Sequence, residues 1–426
     1  MSDLFSNLGE PLDGIIANAK EIAMRSKASL YVIGGPVRDR LLGRSFTDLD
    51  LTVAGDASSF ARELATRLGA RLKSHPRFLT FKLELADGVV VDVTTTRSER
   101  YSQPGALPEV KRDDVLQDLQ RRDFTINAVA VELTTGEILD PLRGITDLEA
   151  RLIRILHDQS FLDDPTRILR ALRFCARFDF AMDRNTESQV VAALASGALA
   201  SLSRERVWRE IFLAFREPRV VQVLDAFNRF GVMKSFLSNS PRQTGVSVPH
   251  TPSRSELESL ERSLSRWGAA DREISFLSLM IANPDRDDLS GSGLSDRQLQ
   301  QLASLRKSST RLAAQLGEAT SVREWLSLLD RVPDEMIALI EVVAPHFPDR
   351  FQQLRELREL QLPFSGDDLG LPPGPHIGRA MREVRIALAL GEIAPGVAVA
   401  FARNLGLQYL EESRSGNQRT DSKKLS

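Results

Sequence analysis

The feature that most constrains the fold of this chain is a change of sequence pattern near residue 145. Before that point, short apolar runs alternate with amphipathic stretches, which is typical of strands and helices packed together. Beyond it the strand patterns stop, and Leu, Ala, Arg and Glu recur with helical periodicity. We therefore expect an α+β fold, in which a small mixed-sheet head is followed by an all-α remainder. At 426 residues the chain is long enough to form more than one hydrophobic core.

Composition narrows the classes of protein to which the chain can belong. Hydrophobic residues make up 42% of it and charged residues 27%, as in soluble globular proteins. No apolar run reaches the roughly 18 residues that span a bilayer, and the N-terminus lacks the pattern of a secretory signal. The single cysteine, Cys175, excludes an intramolecular disulfide and predicts a cytoplasmic location. A net charge of −2 excludes a uniformly basic nucleic-acid binder but permits a local basic groove.

The head contains alternating strand and helix patterns. The predicted strands are 30–33, 48–53, 78–85, 89–95 and a short one near residue 138. The predicted helices are 1–28, 36–43 and 57–68. At least the first half of 102–120 is predicted as a loop, because it carries two prolines and a glycine.

Two aspartates on one predicted strand indicate a metal site. Side chains alternate along a strand, so Asp48 and Asp50 point to the same face. Asp92 interrupts an apolar run on a neighbouring predicted strand, where a charge needs a compensating cation. Three carboxylates on neighbouring strands suit two Mg²⁺ ions that catalyse phosphoryl transfer. The alternative is that such an acidic pair lies in a turn or at a solvated strand end.

A glycine turn thirteen residues earlier favours phosphate binding. Gly34 and Gly35 follow a predicted strand and precede a helix, so backbone N–H groups and the helix N-terminus can approach a phosphate. Arg38, in the first turn of that helix, can reach the same group. An ordinary glycine turn is the alternative interpretation. The spacing is that of neither a Walker loop nor a dinucleotide fingerprint.

Two further segments combine arginines with acids. In Arg121–Ala128 (RRDFTINA) the arginines suit a triphosphate and the aspartate suits a ribose hydroxyl, so Arg122, Asp123 and Asn127 are candidate nucleotide-binding residues. The alternative there is the charged start of a helix. The segment DDPTRILRALRF contains Asp164 and Arg167, an acceptor beside a bidentate donor that together can read the edge of a base. An N-cap with an ordinary i,i+3 ion pair is the competing interpretation.

In their order and spacing, these segments together resemble the class II tRNA nucleotidyltransferase and bacterial poly(A) polymerase superfamily. The resemblance is close in GGPVRDRLLGRSFTDLDL, RRDFTINAVAV, DPLRGITDLEARLIRI and DDPTRILRALRF. It runs continuously over about residues 30–180, and a weaker similarity covers 370–393. Asp163 stands where a glutamate is more usual, which shortens one acid by a methylene.

The resemblance implies an arrangement of domains and a role for each motif. The implied domains are a head (1–145), a neck (146–220), a body (221–360) and a tail (361–412). The polar composition of 413–426 predicts a disordered C-terminus. Nucleotide would lie between head and neck. The implied roles are metal binding by Asp48 and Asp50, triphosphate binding by Gly35, Arg38 and Arg122, ribose binding by Asp123, and base selection by Asp164 and Arg167 with support from Arg170 and Arg173.

The implied activity is template-independent addition of CCA, or of its terminal A, to the tRNA 3′ end from CTP and ATP. Addition of poly(A) to other RNA 3′ ends is the alternative within the class, because these enzymes share the head motifs. A catalytically inactive RNA-binding scaffold is a hypothesis from another class. The loop within 101–120 is full length, whereas enzymes of the family that add only CC have a shortened one. We expect no histidine-aspartate phosphohydrolase activity, because its motif is absent from the sequence.

Overall fold

The structure, a computed structural model, describes residues 4–46, 49–237, 251–281, 289 and 291–422. The chain divides into two compact units, Met1–Pro249 with Asp285–Leu294, and His250–Pro284 with Ser295–Ser426. Among the described residues, no helix combines the length and the apolar character needed to cross a membrane.

All strands of the described residues lie in the first unit. They are β1 (Ser29–Ile33), β2 (Leu49–Ala54), β3 (Arg71–His75), β4 (Thr80–Glu84), β5 (Val90–Thr95), β6 (Arg97–Arg100), β7 (Glu109–Arg112), β8 (Ala130–Glu132), β9 (Ile138–Leu139), β10 (Leu152–Ile153) and β11 (Ala181–Met182). The helices of this unit are α1 (Leu12–Ser26), α2 (Gly35–Leu41), α3 (Ala57–Leu68), α4 (Val115–Gln120), α5 (Gly144–Glu149), α6 (Ser160–Asp163), α7 (Thr166–Phe178), α8 (Arg184–Ala195), α9 (Arg204–Phe215), α10 (Val220–Arg229) and α11 (Val232–Leu237).

The head is built on a seven-stranded mixed sheet with the strand order β3-β4-β5-β2-β1-β8-β9. Strands β2 and β5 are parallel, and the other neighbouring pairs are antiparallel. Leu49 and Leu51 of β2 belong to the core that α1 and α3 cover. Because strand side chains alternate, Asp50 points to the opposite face. The β2–β5 register pairs Asp50 directly with Asp92.

The helical part of the first unit packs around α7. Nine of its thirteen residues are buried, including Ile168 and Leu172. Helices α9 and α10 lie against α7, and Trp208 of α9 is fully buried. The first unit also contains α10 and α11, whereas the sequence assigns residues from 221 onward to the body. The predicted limits of neck, body and tail therefore remain predictions.

The described part of the second unit is helical. Its helices are α12 (Arg254–Trp267), α13 (Arg272–Met280), α14 (Asp296–Glu318), α15 (Val322–Leu329), α16 (Asp334–Val343), α17 (Pro348–Glu359), α18 (Pro375–Ala389) and α19 (Ala398–Ser422). Helices α18 and α19 enclose a small core of their own, centred on Val384 and Ala402. Helix α19 is assigned as far as Ser422, and the disorder expected from residue 413 stays a prediction.

The sequence pattern located β1, β2, β4, β5 and β9 and missed the charged strands and the short buried strand β8. Strands β6 and β7 form a separate hairpin, part of which falls in the segment predicted as a loop, and α4 follows it. The connection between β6 and β7 consists of residues 101–108. Edge strand β3 was missed for the same reason, since Arg71–His75 is polar and largely exposed. Helix α1 begins at Leu12, not at residue 1.

The junction between the sheet and the helices depends on a close approach at Gly144, the first residue of α5. A β-carbon there would clash with the carbonyl oxygen of Thr125 and lie 2.7 Å from Cγ2 of Val129. Both neighbours are buried, so the added atom has little room.

Gly144→Ala should therefore lower the free energy of unfolding by roughly 1–3 kcal/mol, the usual effect of overpacking. Urea denaturation followed by circular dichroism measures it. Gly317→Ala is a matched control, because that glycine is an exposed residue of α14 with nothing within 4 Å of an added β-carbon. Equal unfolding free energies for the parent and Gly144→Ala would contradict the packing described.

Candidate nucleotide-binding site

A polar cleft of about 370 Å³ lies in the first unit, where the sheet meets α7. This volume is in the range of small-molecule sites. The side chains around it are strongly charged, with five arginines and four carboxylates. The lining residues are Gly34, Gly35, Arg38, Asp50, Glu99, Tyr101, Arg121, Arg122, Asp123, Asn127, Asp164, Arg167, Arg170 and Phe174.

The glycine turn after β1 lies beside Arg122 and Asn127. Gly34 has φ +84°, a left-handed conformation that favours glycine. A β-carbon at residue 34 would lie 3.4 Å from Nη1 of Arg122 and 3.5 Å from the carbonyl oxygen of Asn127. Gly35 begins α2, with Pro36 next to it in the first turn. The turn therefore brings the backbone of the α2 N-terminus to the cleft.

Arg38 is held by four groups. Its Nε and Nη2 donate to the carboxylate of Asp39, both at 2.9 Å, and its Nη1 donates to Oδ1 of Asn127 at 2.7 Å. The guanidinium carbon lies 4.6 Å from the ring centroid of Phe178 and 5.4 Å from that of Phe174. Burial lowers the pKa of Arg38 against the opposing effect of Asp39, yet a guanidinium remains charged at neutral pH.

Asp123 joins the sheet to α7. Its Oδ1 accepts from the amide of Phe124 at 2.9 Å and from Nδ2 of Asn127 at 2.8 Å. Its Oδ2 accepts from Nε and Nη2 of Arg170 at 2.9 and 2.6 Å. These four donors fill the acceptor capacity of a carboxylate. A ribose hydroxyl, the partner expected from the sequence, would have to replace one of them.

The charge of Asp123 is stabilised by this network. Burial favours the neutral acid, but the ion pair with Arg170 and the hydrogen bond from Asn127 outweigh it. Together they lower the pKa of Asp123 to about 2. The carboxylate is therefore ionised throughout the physiological range.

Arg121 and Arg122 share a buried acid that the sequence analysis did not single out. Asp118 of α4 accepts from Nη2 of Arg121 at 2.8 Å and from Nη2 of Arg122 at 2.6 Å. Burial raises its pKa, but the two arginines outweigh that effect and lower it. The i,i+3 and i,i+4 spacing of one acid and two arginines is the local signal that indicates this contact.

Asp50 lines the cleft, and Asp92 stands beside it on β5. Parallel neighbours lie about 4.8 Å apart, so the two carboxylates are close enough to share a metal. Oδ1 of Asp92 also lies 3.6 Å from Nζ of Lys82 on β4. Asp48, the remaining predicted ligand, is outside the described residues. Within the described ranges, no three His, Cys, Asp or Glu side chains form a metal cluster, so the three-carboxylate site remains a prediction.

The two candidate base-reading residues have different partners from those expected. Arg167 is buried and donates to Oγ of Ser160 at 2.8 Å and to the carbonyl oxygen of Arg121 at 2.7 Å. Asp164 accepts from Nη2 of Arg206 at 2.8 Å and from the amide of Thr166 at 3.0 Å. Both residues line the cleft, but no ion pair joins them among the described contacts.

Arg170 reaches the cleft, and Arg173 does not line it. Nη1 of Arg173 lies 3.1 Å from Oε2 of Glu210 on α9, and its Nε lies 3.4 Å from Glu217. Arg173 therefore links α7 to α9, and the supporting role in nucleotide binding expected from the sequence stays a prediction.

Glu99 and Tyr101 line the cleft and were missed in the sequence. The hydroxyl of Tyr101 donates to Oε2 of Glu99 at 3.1 Å, and Glu99 also accepts from Arg121 at 2.7 Å. Burial and the nearby Glu99 raise the pKa of Tyr101, so the hydroxyl stays protonated. Both residues come from the charged hairpin segment, whose pattern predicts no strand.

The chain is similar to known tRNA nucleotidyltransferases in sequence and in structure. Residues 30–154 match the family model of the poly A polymerase head domain. The chain is 30% identical over 413 residues to the A-adding tRNA nucleotidyltransferase of Geobacter sulfurreducens, covering 91% of this chain and 46% of that protein. It is 32% identical over 361 residues to the CC-adding tRNA nucleotidyltransferase of Deinococcus radiodurans, covering 83% and 82%. The Thermotoga maritima CCA-adding enzyme complexed with tRNA superposes with a TM-score of 0.74 at 26% identity, covering 96% and 98%.

The extent of the match differs among the relatives. The chain spans about half of the Geobacter protein and between a quarter and about half of two further A-adding relatives. The Deinococcus alignment, in contrast, extends over most of both proteins.

The low pKa of Asp123 predicts a pH-dependent contribution to stability. Because its folded value of about 2 lies below the ordinary value of 3.8, the contribution is full above about pH 4 and is lost as the pH falls towards 2. Asp123→Asn should be less stable than the parent at neutral pH by roughly 2 kcal/mol, from 1.36 kcal/mol per pKa unit. The gap should close on acidification.

Urea denaturation at several pH values measures this gap. Asp87→Asn is the control, because Asp87 lies in the exposed turn between β4 and β5 and accepts only a local amide hydrogen bond. A difference between parent and Asp123→Asn that stays constant with pH would show that the ion pair does not account for the stability.

Proposed function

This chain belongs to the class II CCA-adding enzyme family of tRNA nucleotidyltransferases, and we infer that it adds CCA, or its terminal A, to the 3′ end of tRNA. CTP and ATP supply the nucleotides. In each addition the terminal ribose oxygen of the RNA bonds to the α-phosphorus of the nucleotide. The bond from that phosphorus to the bridging oxygen breaks, pyrophosphate leaves, and the hydroxyl proton passes to solvent. A cytoplasmic location is part of the same proposal.

The observation that carries this proposal is the arginine-lined cleft with Asp50 at its edge. A nucleoside triphosphate needs cations around its phosphates, and Arg38, Arg121 and Arg122 lie near the α2 N-terminus. The five arginines of the lining exceed its four carboxylates by only one charge. Additional positive charge is therefore required to neutralise a triphosphate, which supports bound metal ions.

The residues of the sheet suit Mg²⁺ as that additional charge. Asp50 and Asp92 are hard oxygen ligands on one sheet face, and Asp48 is the third proposed ligand. When bound, two Mg²⁺ ions would activate the RNA hydroxyl and stabilise the departing pyrophosphate. Arg38 and Arg122 then bind phosphates, and their anchored geometry requires little rearrangement during the reaction.

Base choice is proposed to depend on Asp164 and Arg167. Both line the cleft, Arg167 from the first turn of α7 and Asp164 from two residues before that helix, and both are fixed by hydrogen bonds to the protein. Fixed donors and acceptors can discriminate bases by roughly 1–3 kcal/mol per good contact. Arg170, which lies on the same helix as Arg167, is proposed to support the pair by fixing α7 through its ion pair with Asp123. Because Asp123 is saturated by protein contacts and Asn127 bonds to both Asp123 and Arg38, we propose that they position the arginines and that ribose binding by Asp123 is secondary.

Poly(A) addition is the second candidate, favoured by the match to the poly A polymerase head domain over residues 30–154. An inactive scaffold is disfavoured, because Arg38, Asp50 and Asp92 are present and Asp50 faces the cleft. The relatives include enzymes named for A addition and for CC addition. The nature of the RNA end therefore has to be varied in the test.

The proposed activity predicts incorporation at particular tRNA ends. The protein is incubated with Mg²⁺, labelled ATP or CTP, and tRNA ending before CCA, after CC or after CCA. We expect ATP incorporation on tRNA ending in CC and no extension of complete tRNA. Incorporation of CTP on tRNA lacking CCA identifies full CCA addition, and a long ladder on any RNA identifies poly(A) addition.

Asp50→Asn should reduce the rate at least roughly 100-fold, because losing a metal carboxylate removes several kcal/mol of transition-state stabilisation. Asp87→Asn makes the same chemical change away from the cleft and should retain parental activity. Incorporation by Asp50→Asn within about tenfold of the parent would exclude Asp50 as a metal ligand. Absence of incorporation by the parent on any of the RNAs would exclude the proposed activity itself.

A further inference from the structure

A row of charged side chains crosses the open face of the head sheet, the face that carries Asp50. Lys82 of β4 is the direct register partner of Asp92 on β5, and Asp92 is the register partner of Asp50 on β2. Residues that lie directly opposite each other on neighbouring strands share one face of the sheet. Nζ of Lys82 lies 3.6 Å from Oδ1 of Asp92. The row therefore places a cation beside two acids that are proposed to bind metal.

Lys82 retains the capacity to bind a second group. Its contact with Asp92 is an ion pair that is too long for a hydrogen bond, and 38% of its side chain is exposed. Its register neighbour on β3, Lys73, is instead paired with Glu84 at 2.6 Å. Within the part of the chain that the structure describes, Asp92 is the only acid that forms an ion pair with Lys82. An ammonium group carries three donors, so Lys82 can also bind an oxyanion.

The strand order determines the side of the acids on which Lys82 lies. Strand β2 has β1 on one side, and β5 followed by β4 on the other. The glycine turn proposed to bind phosphate follows β1, and Arg122 lies beside it at Gly34. Lys82 therefore lies across Asp50 from the groups that are proposed to bind the triphosphate.

The geometry of nucleotidyl transfer then predicts where the RNA lies. The attacking and departing oxygens lie roughly in line, with the α-phosphorus between them. In the proposed function pyrophosphate departs on the β1 side, so the 3′ hydroxyl of the RNA approaches over β5. Neighbouring strands are about 4.8 Å apart, so β4 lies one such spacing farther along the path of the RNA. The first phosphate behind the reacting hydroxyl, which joins the last two nucleotides, therefore comes close to β4.

We propose that Lys82 binds the phosphate that joins the last two nucleotides of the RNA, and that this contact positions the 3′ hydroxyl for transfer. The inference rests on the proposed function, because it uses the proposed positions of the triphosphate and of the metal-binding acids. A backbone phosphate carries no sequence information. The contact therefore serves any RNA end that the enzyme extends, and it is separate from base selection at Asp164 and Arg167.

An uncharged RNA linkage tests this contact. Two tRNAs ending in CC are compared, one with its natural last phosphate and one with a neutral methylphosphonate at that linkage. Both carry a 2′-O-methyl group on the ribose before the linkage, which keeps the neutral form stable. Lys82→Gln is the protein variant. Lys27→Gln is the matched control, because that exposed lysine ends α1, which covers the opposite face of the sheet.

Two measurements are made for each combination of protein and RNA. One is kcat/KM for the RNA in the addition of a single A. The other is RNA affinity by fluorescence anisotropy with Mg²⁺ and α,β-methylene-ATP, which cannot release pyrophosphate, so no turnover is needed. For the parent, we expect the methylphosphonate to lower both values roughly tenfold, the equivalent of one charge-assisted hydrogen bond. Lys82→Gln should show a similar loss on the natural RNA and no further loss on the neutral one. Lys27→Gln should behave as the parent does.

Three results would overturn the proposal. Equal losses for the parent and Lys82→Gln on the neutral RNA would show that another group binds this phosphate. A parent that is insensitive to the neutral linkage would show that no cation contacts it. Parental values for Lys82→Gln on the natural RNA would show that the lysine does not hold the RNA. Absence of incorporation by the parent is a different outcome, because it excludes the proposed function while the anisotropy data still decide whether Lys82 binds the phosphate.

Discussion

Asp123 accepts two hydrogen bonds from its own segment of the sheet domain and two from Arg170 of α7, and the arrangement of the cleft depends on that pairing. A buried carboxylate is tolerated only when charge and hydrogen bonds compensate its desolvation. The charged partner of Asp123 is Arg170 of α7. The desolvation of Asp123 is therefore compensated when α7 occupies its observed position. The ion pair therefore ties the position of the helix to the position of the sheet.

The same network extends to the phosphate-binding turn. Asn127 donates to Asp123 and accepts from Arg38, so it links the orientation of Arg38 to that of Asp123. The rings of Phe174 and Phe178, both on α7, lie near the guanidinium of Arg38, and such contacts favour a cation. One connected set of side chains thus orients the group proposed to bind phosphate and the helix proposed to read the base. Networks of this kind are stronger than their separate contacts suggest.

The sequence predicted those parts of the structure that depend on local pattern. Apolar alternation located β1, β2 and β5, and the acid that interrupts an apolar run, Asp92, proved to be the register partner of Asp50. The charged strands β6 and β7 carry no such alternation and were missed. The sequence pattern also could not predict contacts between residues that are distant in the chain. Arg206 lies 42 residues from Asp164, and nothing in the pattern of α7 distinguishes Arg173, which contacts Glu210 of α9, from Arg170, which lines the cleft.

The claim that Asp123 and Arg170 act as a unit in holding the nucleotide site is tested most directly by a double-mutant cycle on ATP affinity. Asp123→Asn, Arg170→Gln and the double variant are titrated with ATP by calorimetry. We expect each single change to weaken binding and the double variant to be no weaker than the weaker single, with a coupling energy of roughly 1–3 kcal/mol. Effects that add to within about 0.5 kcal/mol would show that the two residues act independently and would contradict the account.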